Sequence, residues 1–378
     1  MQHNRGVLGG GIDVQGVAED STPSSTLVVR LEECLVGNNV ADSGGGLYVE
    51  DATVTAKDCV MEHNQATGTK GGGAVVVTAS GTASGTASGT TTVEGLTIAA
   101  FRGTHLLLHN NSAGASDGGA VFVASESLPP TALFDLNHST ISRSMANGLG
   151  GHLYAHKAHV VMNHVHLRHG QLKNVTHGSG GSVYLTSSTL ETNMVDMGHS
   201  SAYIGGCVHA TASSVVKLHA TTLHHCQASS VGGALNVQEQ SQLVTTTGVT
   251  TTGVTSLGSA TAKANASATA STTINVIHSN HAESGAGLFL TTHSHAHVVG
   301  ALFQDNVAEG EWGGDGAACF VTRATLHVEN RYGKELVDTT SHVLYSVILL
   351  ISTFFLPPTT MQHVSEQCGA KCRRSRVL

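Results

Sequence analysis

Gly72-Gly73-Ala74-Val75-Val76-Val77 and Gly118-Gly119-Ala120-Val121-Phe122-Val123 are two copies of one unit: two glycines, a small residue, then aliphatic–variable–aliphatic. The unit recurs from Gly9, Gly44, Gly150, Gly180, Gly205 and Gly232, and in degenerate form from Gly285 and Gly316. A second motif, apolar-x-x-Asn, lies upstream of most copies. It reads Val36-Gly37-Asn38-Asn39, Met61-Glu62-His63-Asn64, Leu108-His109-Asn110-Asn111, Ile277-His278-Ser279-Asn280 and Phe303-Gln304-Asp305-Asn306. A third, alternating stretch such as Ala52-Thr53-Val54-Thr55-Ala56 lies between them. Self-similarity at this period, with alternation and Gly/Asn turns but no helical period, predicts about three short strands per repeat. The expected fold is all-β: a single-stranded right-handed parallel β-helix of about ten coils, each burying its aliphatic face on the next.

Two intervals between units are long. Ser/Gly/Thr-rich sequence near 79–92 fills one, and a Thr/Ser/Ala stretch, 245–273, fills the other. Both are expected to be loops extruded from the coil with some strand character. The solenoid is expected over residues 1–335 and a tail over 336–378, with an apolar helix at 342–357. That segment either anchors the chain in a membrane or caps the last coil. Lys371, Arg373, Arg374 and Arg376 beyond it favour a cytoplasmic C-terminus for the anchored case. Met1 opens almost directly into a coil without a signal peptide, which reads as a truncated chain.

Composition narrows the function classes. Glycine is abundant (45 of 378 residues) but lacks the collagen period, and charged residues make up only 12%. A net charge of −8 with 18 Lys and Arg leaves no basic face for nucleic acid.

Alternation along each unit assigns faces. Ile12, Leu47, Val75, Val121, Leu153, Val183, Val208, Leu235, Leu288 and Cys319 should line the interior, as should the residues two positions on. The residue between points outward, and there Tyr48, Phe122, Tyr154, Tyr184, Phe289 and Phe320 are aromatic. Such a stripe could bind glycans or surface proteins, or simply stack on the sheet face and support a loop. The Asn column is expected to satisfy turn amides from coil to coil.

The paired signatures Gly-Gly-Ala-[Leu/Val] (Gly72–Val75, Gly118–Val121, Gly232–Leu235) and Phe303-Gln304-Asp305-Asn306 resemble the chlamydial polymorphic outer membrane protein repeat. Large protist and algal surface proteins carry similar repeats. The resemblance covers roughly residues 6–330 and implies a right-handed β-helix in a cell-surface adhesin or scaffold. A C-terminal barrel of the bacterial kind is not expected within the roughly 48 residues after residue 330.

Parallel β-helices also host polysaccharide lyases and hydrolases, whose chemistry needs clustered carboxylates. Acidic residues here are scattered singly, apart from Asp305, Glu309, Glu311 and Asp315 around Trp312. No catalytic residue and no cofactor is expected, and a non-enzymatic surface or secreted protein is the first reading. A polysaccharide-binding or pectate lyase-like protein is the second. Metal sequestration is a third, through His164/His166 and His295/His297, each pair on one strand face. His109, His224 and His278 align in one column and His63, His169 and His225 in the next. Cys34 and Cys59 share a column and could pair or pack, whereas Cys207, Cys226 and Cys319 read as small buried residues. Glycosylation sequons occur at Asn110, Asn137, Asn174 and Asn265.

Overall fold

A computed structural model describes residues 1–16, 27–80, 99–126, 131–174, 176–250, 271–309, 316–329 and 335–340. Its strands stack into long parallel sheets, making an all-β parallel solenoid. Sheet I holds the strand after each Gly pair, ten in chain order from Ile12–Gln15 to Cys319–Thr322. Sheet II stacks the alternating stretches from Val28–Glu32 to Thr325–Glu329. Sheet III stacks the apolar-x-x-Asn strands from Leu35–Gly37 to Ala301–Gln304.

Each coil has a fourth strand that the periodicity did not predict. It follows the corner after sheet III, as in Gln65–Ala66, Ser112–Ala113 and Met145–Ala146. These strands form sheet IV, in two stacks running Arg5–Leu8 to Gln171–Leu172 and Ser201–Ile204 to Val307–Ala308. Six of these ten strands have two residues, too few to show alternation, so only pairing with neighbouring coils identifies them.

Both long intervals are bridged without an extra coil. Val75–Ala79 pairs in register with Val121–Ser125, and Ala99–Thr104 pairs with strands on both sides. Likewise Leu235–Val237 pairs with Leu288–Leu290, and Gln242–Thr245 with His295–Val298. Gly248–Thr250 and Ser271–Thr273 pair antiparallel at the base of the second insertion. Beyond the last coil, Glu335–Thr340 pairs antiparallel with Thr325–Glu329. The apolar segment 342–357 lies outside the described residues; among those described, no helix is long and apolar enough to cross a membrane.

The interior columns behave as the alternation requires. Leu47, Val75, Val121, Leu153, Val183, Val208 and Leu235 are fully buried, and Phe101 stacks on Phe134 at 5.4 Å between centroids. Full burial of one aliphatic side chain stabilises by roughly 1.5–3 kcal/mol. The lumen is therefore the main source of stability, and each coil gains it only from its neighbours.

The two glycines of a unit serve different needs. Gly118 adopts φ +67°, which L side chains avoid, whereas a Cβ on Gly119 would run into the Gly151 carbonyl of the next coil. The other corners use αL residues with side chains, and histidine is prominent among them. Among the described residues, His63, His105, His138, His164, His169, His199, His225 and His293 all sit at φ between 51° and 61°, apart from His138 at 46°. Asn, Asp and His tolerate this region best among non-glycine residues. Turn geometry thus accounts for much of the histidine content.

Inside the Asn corner runs a ladder of amides. Asn39 Nδ2 donates to Asn64 Oδ1 at 3.0 Å, and Asn64 Nδ2 to Asn111 Oδ1 at 3.1 Å. The backbone N–H groups of Asn39 and Asn64 donate to the same oxygens. Asn280 and Asn306 repeat the pattern. Between these runs the corner is Ser144, Gly170, Ser200 and Cys226, and the small residue after the Gly pair changes in step. Ser182 Oγ lies 2.7 Å from Ser200 Oγ. Cys207 and Cys226 form a disulfide with Cα atoms 5.4 Å apart. The reading of these two cysteines as lone buried thiols is corrected: they occupy facing positions of one coil.

Candidate metal centre and aromatic ladder

The outward column of sheet I forms a ladder, but not a continuous exposed one. Phe122, Tyr154 and Tyr184 stack at 5.0 and 5.6 Å with planes within 13°, and His209 continues the stack on Tyr184 at 5.1 Å. Phe289 and Phe320 form a second stack at 5.0 Å. These five aromatics are half-buried. Tyr48 departs from the expected stripe: it is only 2% exposed, and its hydroxyl lies 3.2 Å from Thr78 Oγ1. His209 and Asn236 are also buried and separate the two stacks. Burial pushes the Tyr154 hydroxyl up to about 12.

The four histidines singled out as metal candidates do not come together. His164 is a corner residue stacked on His138 at 4.5 Å. His166 faces Asp196, with Nδ1 3.3 Å from Oδ2. His295 is exposed on sheet II. His297 does join a cluster, with Nε2 3.1 Å from Glu329 Oε1, which His327 Nε2 also approaches at 3.0 Å. There the carboxylate already sits between the imidazoles as a shared acceptor.

A denser group lies at the corner between sheets III and IV. His199, His224 and His225 each place a ring nitrogen within 4.8 Å of the others. His224 Nδ1 is 2.9 Å from His225 Nδ1. Its other nitrogen, Nε2, is 2.8 Å from Asp196 Oδ1. His199 stacks parallel on His225 at 4.9 Å and meets His224 edge-on at 5.1 Å. His169 and His278 extend the group along the rod, stacked on His199 at 5.1 Å and on His224 at 5.5 Å.

The local sequence explains this packing. His199 and His225 are successive αL corner residues in adjacent coils, so their rings superpose. His224 precedes His225 at the end of Thr222–His224, and the residue beside it in the neighbouring coil is Gly198. A Cβ on Gly198 would fall 2.5 Å from His224 Cε1, so glycine leaves room for the ring. Cys226 follows directly, and its disulfide to Cys207 holds the corner from the lumen side.

Electrostatics follow from the same neighbours. The His224 and Arg168 hydrogen bonds hold the Asp196 carboxyl well below the usual carboxylate range. Partial burial and the adjacent His224 and His225 push His199 and His278 below the usual imidazole value. Column alignment had put His224 beside His278 and His225 beside His169. His199 and Asp196 join the group only through the stacking of His199 on His225 and the Asp196–His224 bond.

Asp117 and Asp135 are pushed up by burial, and Asp117 accepts the Leu149 N–H. Glu191 pairs with Lys217 at 2.8 Å beside a shallow groove of about 320 Å³ lined by Asn163, Asn193 and His219. Glu311, Trp312 and Asp315 lie outside the described residues. Cys34 and Cys59 are free thiols in contact at 2.7 Å, and burial raises Cys34 to about 12. Of the sequons, Asn174 is exposed, Asn110 and Asn137 are half-buried, and Asn265 lies outside the described residues.

Comparison with protein-family models, with curated proteins and with solved structures finds no match.

Proposed function

We propose that the chain is a non-enzymatic right-handed β-helix scaffold of the polymorphic outer membrane protein type, working outside the cell or at its surface. The observation that carries the extracellular reading is the Cys207–Cys226 disulfide in the lumen. Stable structural disulfides belong to oxidising compartments. The scatter of single acidic residues along the sequence supports a non-catalytic role, since glycoside hydrolysis uses paired carboxyl groups and lyase sites use clustered Ca²⁺ ligands. Membrane attachment through 342–357 is part of the proposal.

Expression through a secretory pathway tests it. Secreted chain should carry the disulfide and glycan at Asn174, seen as a mass shift removed by an amide-cleaving glycosidase. Retention of reduced, unmodified chain in the cytoplasm would sink the compartment reading. A half-exposed stack at Phe122, Tyr154 and Tyr184 favours a second reading, glycan binding along sheet I. A glycan array with a reducing-end and unsaturated-product assay separates the two. Turnover rules out the scaffold, and absence of binding rules out the glycan reading.

A further inference from the structure

We propose that His199, His224 and His225 form a binding site for one first-row divalent cation of the Zn²⁺, Ni²⁺ or Cu²⁺ class, with Asp196 as the outer partner that orients His224.

The donor set selects that class. Imidazoles without a carboxylate among them suit Zn²⁺, Ni²⁺ and Cu²⁺ and disfavour Mg²⁺ and Ca²⁺, which take oxygen ligands. Three ring nitrogens lie within 4.8 Å of one another. Ligand nitrogens about 2.0–2.1 Å from a common metal are separated by little more than 3 Å, which small side-chain rotations would reach from here.

The second observation is the Asp196–His224 bond. A carboxylate that accepts the Nε2–H of His224, at 2.8 Å, leaves Nδ1 as a lone pair. That lone pair points at His225 Nδ1, 2.9 Å away. Carboxylate–imidazole–metal relays are built this way, the outer acid fixing the tautomer and raising ligand basicity. Without a metal, His225 Nδ1 carries the proton that this lone pair accepts; a cation takes its place when His225 holds its proton on Nε2 instead. His199 stacks parallel on His225 at 4.9 Å, which brings the third ring to the same corner.

The third observation is preorganisation. His199 and His225 are held at αL corners of stacked coils, and the disulfide at Cys226 fixes the chain next to His225. A rigid support of this kind reduces the ordering cost of binding. The His297–His327–Glu329 group differs, because Glu329 already lies between its two imidazoles.

Calorimetric titration of the full-length oxidised chain with Zn²⁺ at pH 7.5 tests the site. One saturable site is expected, lost in His224→Gln/His225→Gln and retained in His297→Gln/His327→Gln. Asp196→Asn should keep the stoichiometry and weaken affinity about 10- to 100-fold, as outer-partner substitutions do. The ligands lie on the outside of the rod, and circular dichroism checks each variant's fold. If the double variant does not fold, zinc-induced shifts of individual imidazole signals in the wild type decide the matter. Shifts confined to His199, His224 and His225 support the site. The absence of any site tighter than about 1 mM overturns it. So does a site that survives the His224/His225 double substitution, or imidazole shifts centred elsewhere.

Discussion

His152 occupies the lumen space that Gly170 leaves free. A Cβ on Gly170 would lie 3.0 Å from His152 Cδ2, and the imidazole is fully buried with no side-chain partner for either ring nitrogen among the described residues. Where the corner is Asn64, the facing residue is Gly46; where it is Asn111, the facing residue is Ala74. Corner and facing residue therefore share one small volume per coil, filled as Asn with Gly or Ala, Gly with His, Ser with Ala or Ser, or Cys with Cys.

Burial has a consequence for acid stability. His152 and His209 are pushed down to about 3 by loss of solvent. Unfolded histidine titrates near 6.5, so below that pH the unfolded chain takes up protons that the folded chain refuses. Stability is present above about pH 6.5 and falls as the pH drops toward 3, by about 1.4 kcal/mol per pH unit for each such histidine. His152→Leu, similar in size, should fold and lose stability less steeply by about that amount. Urea midpoints at pH 7 and pH 5 measure this; identical slopes for the two proteins would exclude the assignment.

The disulfide closes a loop with a sequence separation of 19 residues. The loop-entropy relation puts its contribution at about 3 kcal/mol. Cys207→Ser/Cys226→Ser should lower the thermal midpoint accordingly. Because Ser182 and Ser200 fill the same pair of positions in the preceding coil, the doubly substituted chain should still fold. A single Cys226→Ser leaves an unpaired thiol and should cost as much without that compensation. Calorimetry on the three proteins compares them.

Asn64 is the middle of the N-terminal ladder. Its Nδ2 donates to Val36 O at 2.9 Å and to Asn111 Oδ1 at 3.1 Å, in full burial. Asn64→Asp replaces these donors with an acceptor facing two oxygens, so it should destabilise by more than about 3 kcal/mol at neutral pH. Stability should partly recover as the new carboxyl protonates in acid. Asn64→Ala should cost less, since it removes the charge while leaving the neighbours unpaired. Equal stability of the Asp variant and the wild type at pH 7 would contradict the ladder.

Tyr154 sits between Phe122 and Tyr184 in the outer stack. Aromatic pairs add about 0.5–1.5 kcal/mol each beyond area burial. Tyr154→Leu keeps a large apolar side chain but breaks two pairs, and should cost about 1–3 kcal/mol in denaturant titration. A loss of glycan binding without such a stability change would instead mark the stack as a ligand surface.

Gly-Gly-x-aliphatic units such as Gly118–Val123 made the stacked parallel architecture and its lumen columns legible from residue order alone. The reason is that each coil meets its neighbour in register, so position in the repeat predicts position in space. The fourth strand was not legible because Gln65–Ala66 is too short to alternate. Within one unit, the two-residue period of a strand is enough to tell which residues face the lumen. Which side chains meet across a coil or around a corner depends on how the chain folds in three dimensions. Cys207 reaches Cys226, His152 fills the space beside Gly170, and His199 joins His224 and His225 beside Asp196. Those partners depend on where the chain turns, and apart from the repeating glycine corner the turns rest on αL residues such as His63, Asn110, Arg143 and His199 that share no single residue type.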